Sequence, residues 1–167
     1  FMKRYPELGL QENVLFGDNI VLAEAALLWL KNKASQELGI TIKKVFLGGT
    51  CNESTWRDDL IKQLKIKYFN PVVDDWTPEC MDEEIKQRKE CDFCLYVITP
   101  KMTGVYSIAE VVDDSNKHPT KTVFCFLKED GTKFTDGQIK SLNQVKKMVK
   151  ENGGNVFDGL EEVATFL

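Results

Sequence analysis

The feature that most restricts how this chain can fold is a series of short apolar runs separated by stretches of helical character. The runs are three to six residues long: Val45–Leu47, Tyr68–Val73, Phe93–Ile98, Thr122–Leu127 and Asn155–Phe157. Short apolar strands that alternate with helices form parallel sheets covered on both faces. The pattern therefore predicts an α/β fold with a mainly parallel five-stranded sheet.

Helical patterns fill the segments between these strands and precede the first one. Asp18 is a suitable cap for a helix that runs to about Ala34, whose broad apolar stripe predicts packing on the sheet or a subunit interface. Further helices are predicted over Trp56–Leu64, Met81–Glu90, Ser107 to about Asn116, Gln138–Glu151 and Leu160–Leu167. We therefore expect one domain over residues 1–167, with an N-terminal extension and helix (1–42) and an α/β core (43–167).

Composition excludes several classes of function. The 167 residues include 22 basic and 26 acidic side chains, and this absence of a basic excess argues against a protein that coats nucleic acid. No segment approaches the roughly 20 apolar residues of a membrane span. The N-terminus has no secretory pattern. We therefore expect a cytoplasmic protein without membrane or nucleic-acid partners.

Cysteine and histidine chemistry is also disfavoured. Cys91 and Cys94 form a Cys-x-x-Cys, but they open a strand, on which residues three apart point to opposite faces. A redox pair or a zinc site is therefore not expected there. His118 is the only histidine, so acid–base chemistry must depend on carboxylates. No metal or cofactor is expected.

The loops that follow the strands are the predicted ligand site, because open α/β sheets bind ligands beyond the carboxyl ends of their strands. Glycines in the first loop permit close backbone approach to a ligand, or simply a tight turn, and Arg57 with the following helix N-terminus suits an anion. In the second loop, Asp74 or Asp75 suits the binding of a base or hydroxyl, and Trp76 suits an aromatic wall of the site. Alternatively, one Asp caps the next segment and Trp76 is ordinary packing. The candidate substrate-binding residues are Gly48, Gly49, Thr50, Asn52, Arg57, Asp74, Asp75, Trp76, Met102, Gly104, Tyr106 and Ser107.

Glu110 is the candidate with the most specific placement. The strand Phe93–Ile98 leads into Thr99–Gly104, and the next helix presents Glu110 just beyond the end of that strand. A carboxylate at this position can act as a nucleophile at a sugar carbon. It can equally be an ordinary acid at a helix N-terminus, where negative charge is favoured.

Several of these segments, taken in order, resemble a known family. They are Val45–Thr50, Trp56–Arg57, Asn70–Trp76, Asp92 at the start of the third strand, and Gly104 with Ser107 and Glu110. Together they resemble the nucleoside 2-deoxyribosyltransferase-like superfamily, which includes deoxyribosyltransferases and 2′-deoxynucleoside 5′-monophosphate N-glycosidases. The resemblance covers about residues 43–167 and is strongest to a divergent branch that is often bacterial or phage-encoded.

The resemblance implies a flavodoxin-like three-layer sandwich and a glutamate that attacks C1′ of the deoxyribose, for which Glu110 matches. The general acid of the family commonly lies eight residues before the acid that opens the third strand. Counting back from Asp92 gives Glu84, with Asp82 and Glu83 as neighbouring alternatives. Asp92 itself is expected to be structural.

One position departs from the family pattern. The family often holds the nucleophile with a tyrosine from the first strand, and here Phe46 occupies that place and cannot donate a hydrogen bond. Tyr106 is an alternative donor if its ring turns into the pocket. A nucleophile without such a donor is expected to have a raised pKa.

Three functions are compatible with these residues. The first is cleavage of the N-glycosidic bond of 2′-deoxynucleosides or their 5′-monophosphates through a covalent glycosyl-Glu110 intermediate, with transfer to another base or to water. The second is cleavage of NAD or a related dinucleotide on the same fold. The third is nucleotide binding without catalysis. The resemblance also implies a homo-oligomer, a dimer or higher.

Overall fold

The computed structural model of the protein describes residues 30, 33, 42–73, 75 and 77–167. The chain divides into two compact units, residues 1–42 and residues 43–167. In the first unit, Leu30 and Lys33 are helical, and the rest of the helix predicted from Asp18 lies outside the described residues. That the whole chain forms one domain stays a prediction. Everything below concerns the second unit.

Five strands form a single parallel sheet in the second unit. They are β1 (Lys44–Gly49), β2 (Lys67–Phe69), β3 (Phe93–Ile98), β4 (Thr122–Phe126) and β5 (Asn155–Phe157). Their order across the sheet is β2-β1-β3-β4-β5, and every pairing is parallel. This order is that of flavodoxin-like folds. The predicted fold class is thus confirmed.

Five α-helices connect or follow these strands. They are α1 (Trp56–Ile61), α2 (Pro78–Glu90), α3 (Tyr106–Lys117), α4 (Asp136–Glu151) and α5 (Leu160–Phe166). The start of α4 is set by a capping box, in which the Thr135 side chain accepts from the Gln138 backbone while the Gln138 side chain accepts from the Thr135 backbone. No helix among the described residues is long and apolar enough to cross a membrane.

Alternate residues of each central strand point to opposite sides of the sheet. Helices cover both sides, so both faces of the sheet are buried. On one side Phe46, Tyr96 and Phe124 pack with Val111 of α3 and Leu142 of α4. The opposite side contains Val45, Leu47, Leu95, Val97, Val123 and Cys125, which pack with Trp56 and Leu60 of α1 and Val163 of α5. This two-sided burial explains why the central strands are continuous apolar runs.

The sheet order places a crevice at the point where the chain changes direction. From β1 the chain goes outward to β2, and then returns to β3 on the other side of β1. The loops after β1 and β3 therefore leave the sheet in opposite directions and open a gap at its carboxyl edge. Ligands of open α/β sheets bind at such switch points.

Candidate active site

A cavity of about 330 Å³ lies at this switch point. Eleven of the fourteen predicted site residues line it: Gly48, Gly49, Thr50, Asn52, Arg57, Glu84, Met102, Gly104, Tyr106, Ser107 and Glu110. Asp75 is exposed and is not part of the cavity wall. Asp74 and Trp76 lie outside the described residues. The structure therefore brings together residues from the first and third strand-end loops and from three helices, α1, α2 and α3.

The end of β1 is fixed against the end of β3. Gly49 has a φ of +113°, and a Cβ at this position would lie 2.1 Å from the carbonyl oxygen of Val97. The Thr50 amide donates to Val97 O over 2.9 Å, and the Thr50 hydroxyl accepts from the Thr99 amide over 2.9 Å. Only glycine fits this close approach of two backbones. Gly49 is thus required by the geometry of the cavity floor.

Arg57 is buried beneath the loop that follows β1. Its guanidinium donates to the carbonyl oxygens of Leu47, Gly49 and Thr50 over 3.0, 3.3 and 2.6 Å. Burial lowers the pKa of Arg57 to about 10, although nearby acidic groups oppose this effect. Because its donors are committed to backbone carbonyls, Arg57 braces the loop, and its role in binding an anion stays a prediction.

A second set of contacts ties three loops together outside the cavity. Lys101, after β3, donates to the Glu53 carbonyl over 2.8 Å and forms an ion pair with Asp130 at 3.3 Å. The Ser54 hydroxyl donates to the other oxygen of Asp130 over 2.5 Å. The loop after β4 therefore holds the loops after β1 and β3 in register.

Glu110 is part of a buried charged cluster between α2 and α3. Arg88 Nη1 donates to Glu110 Oε1 over 2.6 Å, and Arg88 Nη2 donates to Asp114 Oδ1 over 2.8 Å. The hydroxyl of Tyr96, from β3, donates to Asp114 Oδ2. Among the described residues, none donates a hydrogen bond to Glu110 Oε2. Arg88 thus holds one oxygen of Glu110, and no described residue donates to the other.

The environment of Glu110 favours retention of a proton. Burial raises the pKa of Glu110 to about 7; Arg88 opposes this rise, whereas Glu84 and Asp114 add to it. Glu110 is only 7% exposed, so its charge receives little help from solvent. The expected rise in the pKa of Glu110 is therefore present, although Arg88 is a strong hydrogen-bond donor to it.

Glu84 is the one of the three candidate acids that lines the cavity. Burial raises the pKa of Glu84, and Arg88 and Arg57 oppose this rise. Asp82 is exposed, and Glu83 accepts a hydrogen bond from Gln87 over 2.6 Å on the surface of α2. Geometry thus favours Glu84 among the three.

Asp92 and Tyr106 have positions that bear on their predicted roles. The Asp92 carboxylate accepts from the Lys44 amide over 2.8 Å, which joins the starts of β3 and β1. This contact suits a structural role. Tyr106 lies at the cavity but is 73% exposed, and no described contact joins its hydroxyl to Glu110.

Sequence reasoning missed Arg88, Asp114 and Tyr96, and also the cavity-lining residues Pro71, Val72 and Val73. A signal for two of them was present in the spacing. Arg88 is four residues after Glu84 on α2, and Asp114 is four residues after Glu110 on α3. Side chains four apart lie on one face of a helix, so each candidate carboxylate indicated a neighbour facing the same site.

Comparison with known proteins gives one match. The sequence model of a family described as nucleoside 2-deoxyribosyltransferase-like matches residues 42–129, just over half of the chain. Neither the curated proteins nor the solved structures include a significant match. The matched segment spans β1 to β4 and contains every residue named for the candidate site. This chain therefore belongs to the nucleoside 2-deoxyribosyltransferase-like family.

Proposed function

We propose that the protein cleaves the N-glycosidic bond of 2′-deoxynucleosides or their 5′-monophosphates and passes the sugar to another base or to water. The observation that carries this proposal is that two carboxylates, the buried Glu110 and the half-buried Glu84, share one cavity at the switch point of the sheet. Paired carboxylates on either side of a glycosidic bond are the machinery of retaining glycoside cleavage. Family membership supports nucleosides as the substrate class.

In the first step, Glu110 acts as the nucleophile. Its Oε2 attacks C1′ of the deoxyribose, and the C1′–N bond breaks with its electron pair moving to the base. Glu84 donates a proton to the departing base. The products are a glycosyl ester of Glu110, the free base and the Glu84 carboxylate. Arg88 binds the opposite oxygen of Glu110 and keeps Oε2 available for attack.

In the second step, water or a second base attacks C1′ of the glycosyl ester. The bond between C1′ and Glu110 breaks, and its electron pair restores the Glu110 carboxylate. Glu84 now accepts the proton that the attacking molecule releases, so the same residue serves as acid and then as base. Both carboxylates return to their starting state.

Both carboxylates lie in environments that favour the protonated form. Burial raises the pKa of Glu84 and the pKa of Glu110, and the charge of Glu84 adds to the rise at Glu110. The reaction requires a proton on Glu84, with Glu110 ionised.

The rest of the cavity wall suits a nucleoside. Pro71, Val72 and Val73 offer an apolar surface for a planar base, and Thr50 and Ser107 offer hydroxyls for the sugar. Ligand cavities in proteins range over about 300–1,000 Å³. The present volume of about 330 Å³ falls within that range.

The test is a panel of deoxynucleosides and their 5′-monophosphates, with and without an added free base, followed by chromatography. We expect base release by the wild-type protein, none by Glu110→Ala or Glu110→Gln, and a loss of about 10²- to 10⁴-fold in Glu84→Gln. Glu83→Gln is the matched control on the same helix. Base release that survives both Glu110 variants would show that the nucleophile is another residue.

Two further measurements separate the alternatives. Free nicotinamide released from NAD, with no base released from the panel, would favour the dinucleotide-cleaving function. Nucleotide binding by calorimetry without any turnover would favour a binding protein.

A further inference from the structure

The contacts of Arg88 set it apart from the other basic residues near the cavity. Its two terminal nitrogens reach two different carboxylates, Glu110 on one side and Asp114 on the other. Its side chain is 18% exposed, and those of Glu110 and Asp114 are 8% and 10% exposed. A planar guanidinium can make two such bonds in fixed directions, and a lysine ammonium cannot.

The orientation of this fork is itself fixed by the core. Tyr96 is fully buried and donates its hydroxyl to Asp114, which holds the carboxylate that in turn holds Arg88. Arg88 Nε is buried without a hydrogen-bond partner in the described part of the chain. A buried donor without a partner is unfavourable. The guanidinium keeps this orientation in spite of that cost, so its bonds to the two carboxylates must determine the orientation.

We propose that Arg88 is a positioning residue that favours the ionised form of Glu110 and directs its Oε2 toward the substrate, with Asp114 and Tyr96 anchoring the guanidinium. This inference rests on the proposed role of Glu110 as the nucleophile. In this proposal Arg88, on α2, takes the place of the hydroxyl donor that was expected on β1, where this chain has Phe46.

The charged groups around Glu110 make the sign of each substitution definite. Arg88 and Glu84 face it from α2, and Asp114 from its own helix. Arg88 lowers the pKa of Glu110, and Asp114 raises it both by its own charge and by sharing Arg88. Removing Arg88 and removing the charge of Asp114 must therefore move the titration of Glu110 in opposite directions.

The direct test is a carbon-13 NMR titration of the Glu110 carboxyl group. It is made in Glu84→Gln protein, where Glu110 no longer titrates together with a partner in the cavity. The signal is assigned by its loss in Glu110→Gln. In this parent, Arg88→Met should raise the midpoint by about 1 to 3 pH units. Asp114→Asn, which keeps a hydrogen-bond acceptor for Arg88, should lower it.

Lys86→Met is the matched control, because Lys86 lies on α2 but pairs with exposed Glu83. It should leave the midpoint unchanged. An unchanged midpoint in folded Arg88→Met protein overturns the proposal. Should Arg88→Met fail to fold, Asp114→Asn decides alone, and a midpoint at or above that of the parent overturns the proposal.

A second arm follows base release in protein with Glu84 intact. The acid limb of kcat/KM should move to higher pH in Arg88→Met and to lower pH in Asp114→Asn, whereas a purely structural role would lower the rate without this opposite movement. If the wild-type protein releases no base at any pH, the proposed function fails, and the NMR arm still decides the role of Arg88.

Discussion

At the scale of a single residue, Glu110 combines burial with a need for negative charge. Burial raises the pKa of Glu110 to about 7, so its protonated and ionised forms interchange near neutral pH. Since only the carboxylate can attack C1′, we expect kcat/KM for base release to fall about tenfold per pH unit below 7. A pH–rate profile of the wild-type protein measures this. An acid limb near the ordinary glutamate value, about 4.3, would contradict the raised pKa.

At pH values above its pKa, Glu110 should also lower the free energy of unfolding of the protein. The pKa of Glu110 is higher in the folded state than in the unfolded chain, so folding favours the protonated form. The stability gained from this preference for the protonated form is fully present below the unfolded pKa of Glu110 and is lost as pH rises through about 7. Glutamine resembles the protonated acid and avoids that loss. Glu110→Gln should therefore exceed wild type in stability at pH 8, by on the order of 1–3 kcal/mol.

Urea unfolding of both proteins at pH 5.5 and pH 8 measures this difference. The advantage of Glu110→Gln over wild type should grow between the two conditions, because other titrating groups affect both proteins equally. An advantage that shrinks as pH rises would contradict the linkage argument.

At the scale of secondary-structure elements, the junction of β1 and β3 depends on one backbone conformation. An alanine at Gly49 would need a φ of +113° and would bring its Cβ within 2.1 Å of Val97 O. The strands must separate to relieve this contact, so we expect Gly49→Ala to destabilise the protein by about 3 kcal/mol or more. Gly104→Ala is the control, because a Cβ there meets nothing within 4 Å. Thermal unfolding of the two variants should therefore differ widely, and equal midpoints would contradict the argument.

The elements differ in how well the sequence alone could place them. The strands β3 and β5 were predicted with their observed bounds. For β3 the reason is that a buried apolar run has few other structural solutions. The second strand was predicted over Tyr68–Val73 but occupies Lys67–Phe69. Val72 and Val73 are instead exposed by 46% each and line the cavity. Apolar character alone cannot tell an edge strand from a substrate-facing wall.

The candidate site was predictable to the same limited extent. The rule that ligands bind beyond the carboxyl ends of strands led to the loops after β1 and β3 and to Glu110. In the sequence, Arg57 suggested anion binding. Its position in the sequence cannot show that its guanidinium donates to three carbonyl oxygens beneath the loop. The contact of Arg88 with Glu110 and Asp114 depends on how closely α2 approaches α3. The local sequence gives no signal for this distance beyond the four-residue spacing.

At the scale of the whole molecule, the described parts of the core all belong to residues 43–167. Each face of the sheet is covered by helices of the same unit, with α3 and α4 on one side and α1 and α5 on the other. The homo-oligomer implied by the resemblance stays a prediction. The exposed Val105 and Tyr106, at 73% each, place apolar surface beside the cavity where such a contact would have consequences for substrate access.

This organisation leads to a prediction about the chain without residues 1–41. Residues 42–167 contain the complete five-stranded sheet and both of its helical layers, and a chain of that size can bury enough apolar surface to fold. We therefore expect residues 42–167, produced alone, to unfold in one cooperative transition with a helix and strand content that matches the sheet and helices given above. Circular dichroism with thermal and urea unfolding measures both properties, and the full-length chain is the reference. A shortened chain that binds hydrophobic dyes and melts without a cooperative transition would show that residues 1–41 are needed to complete the core.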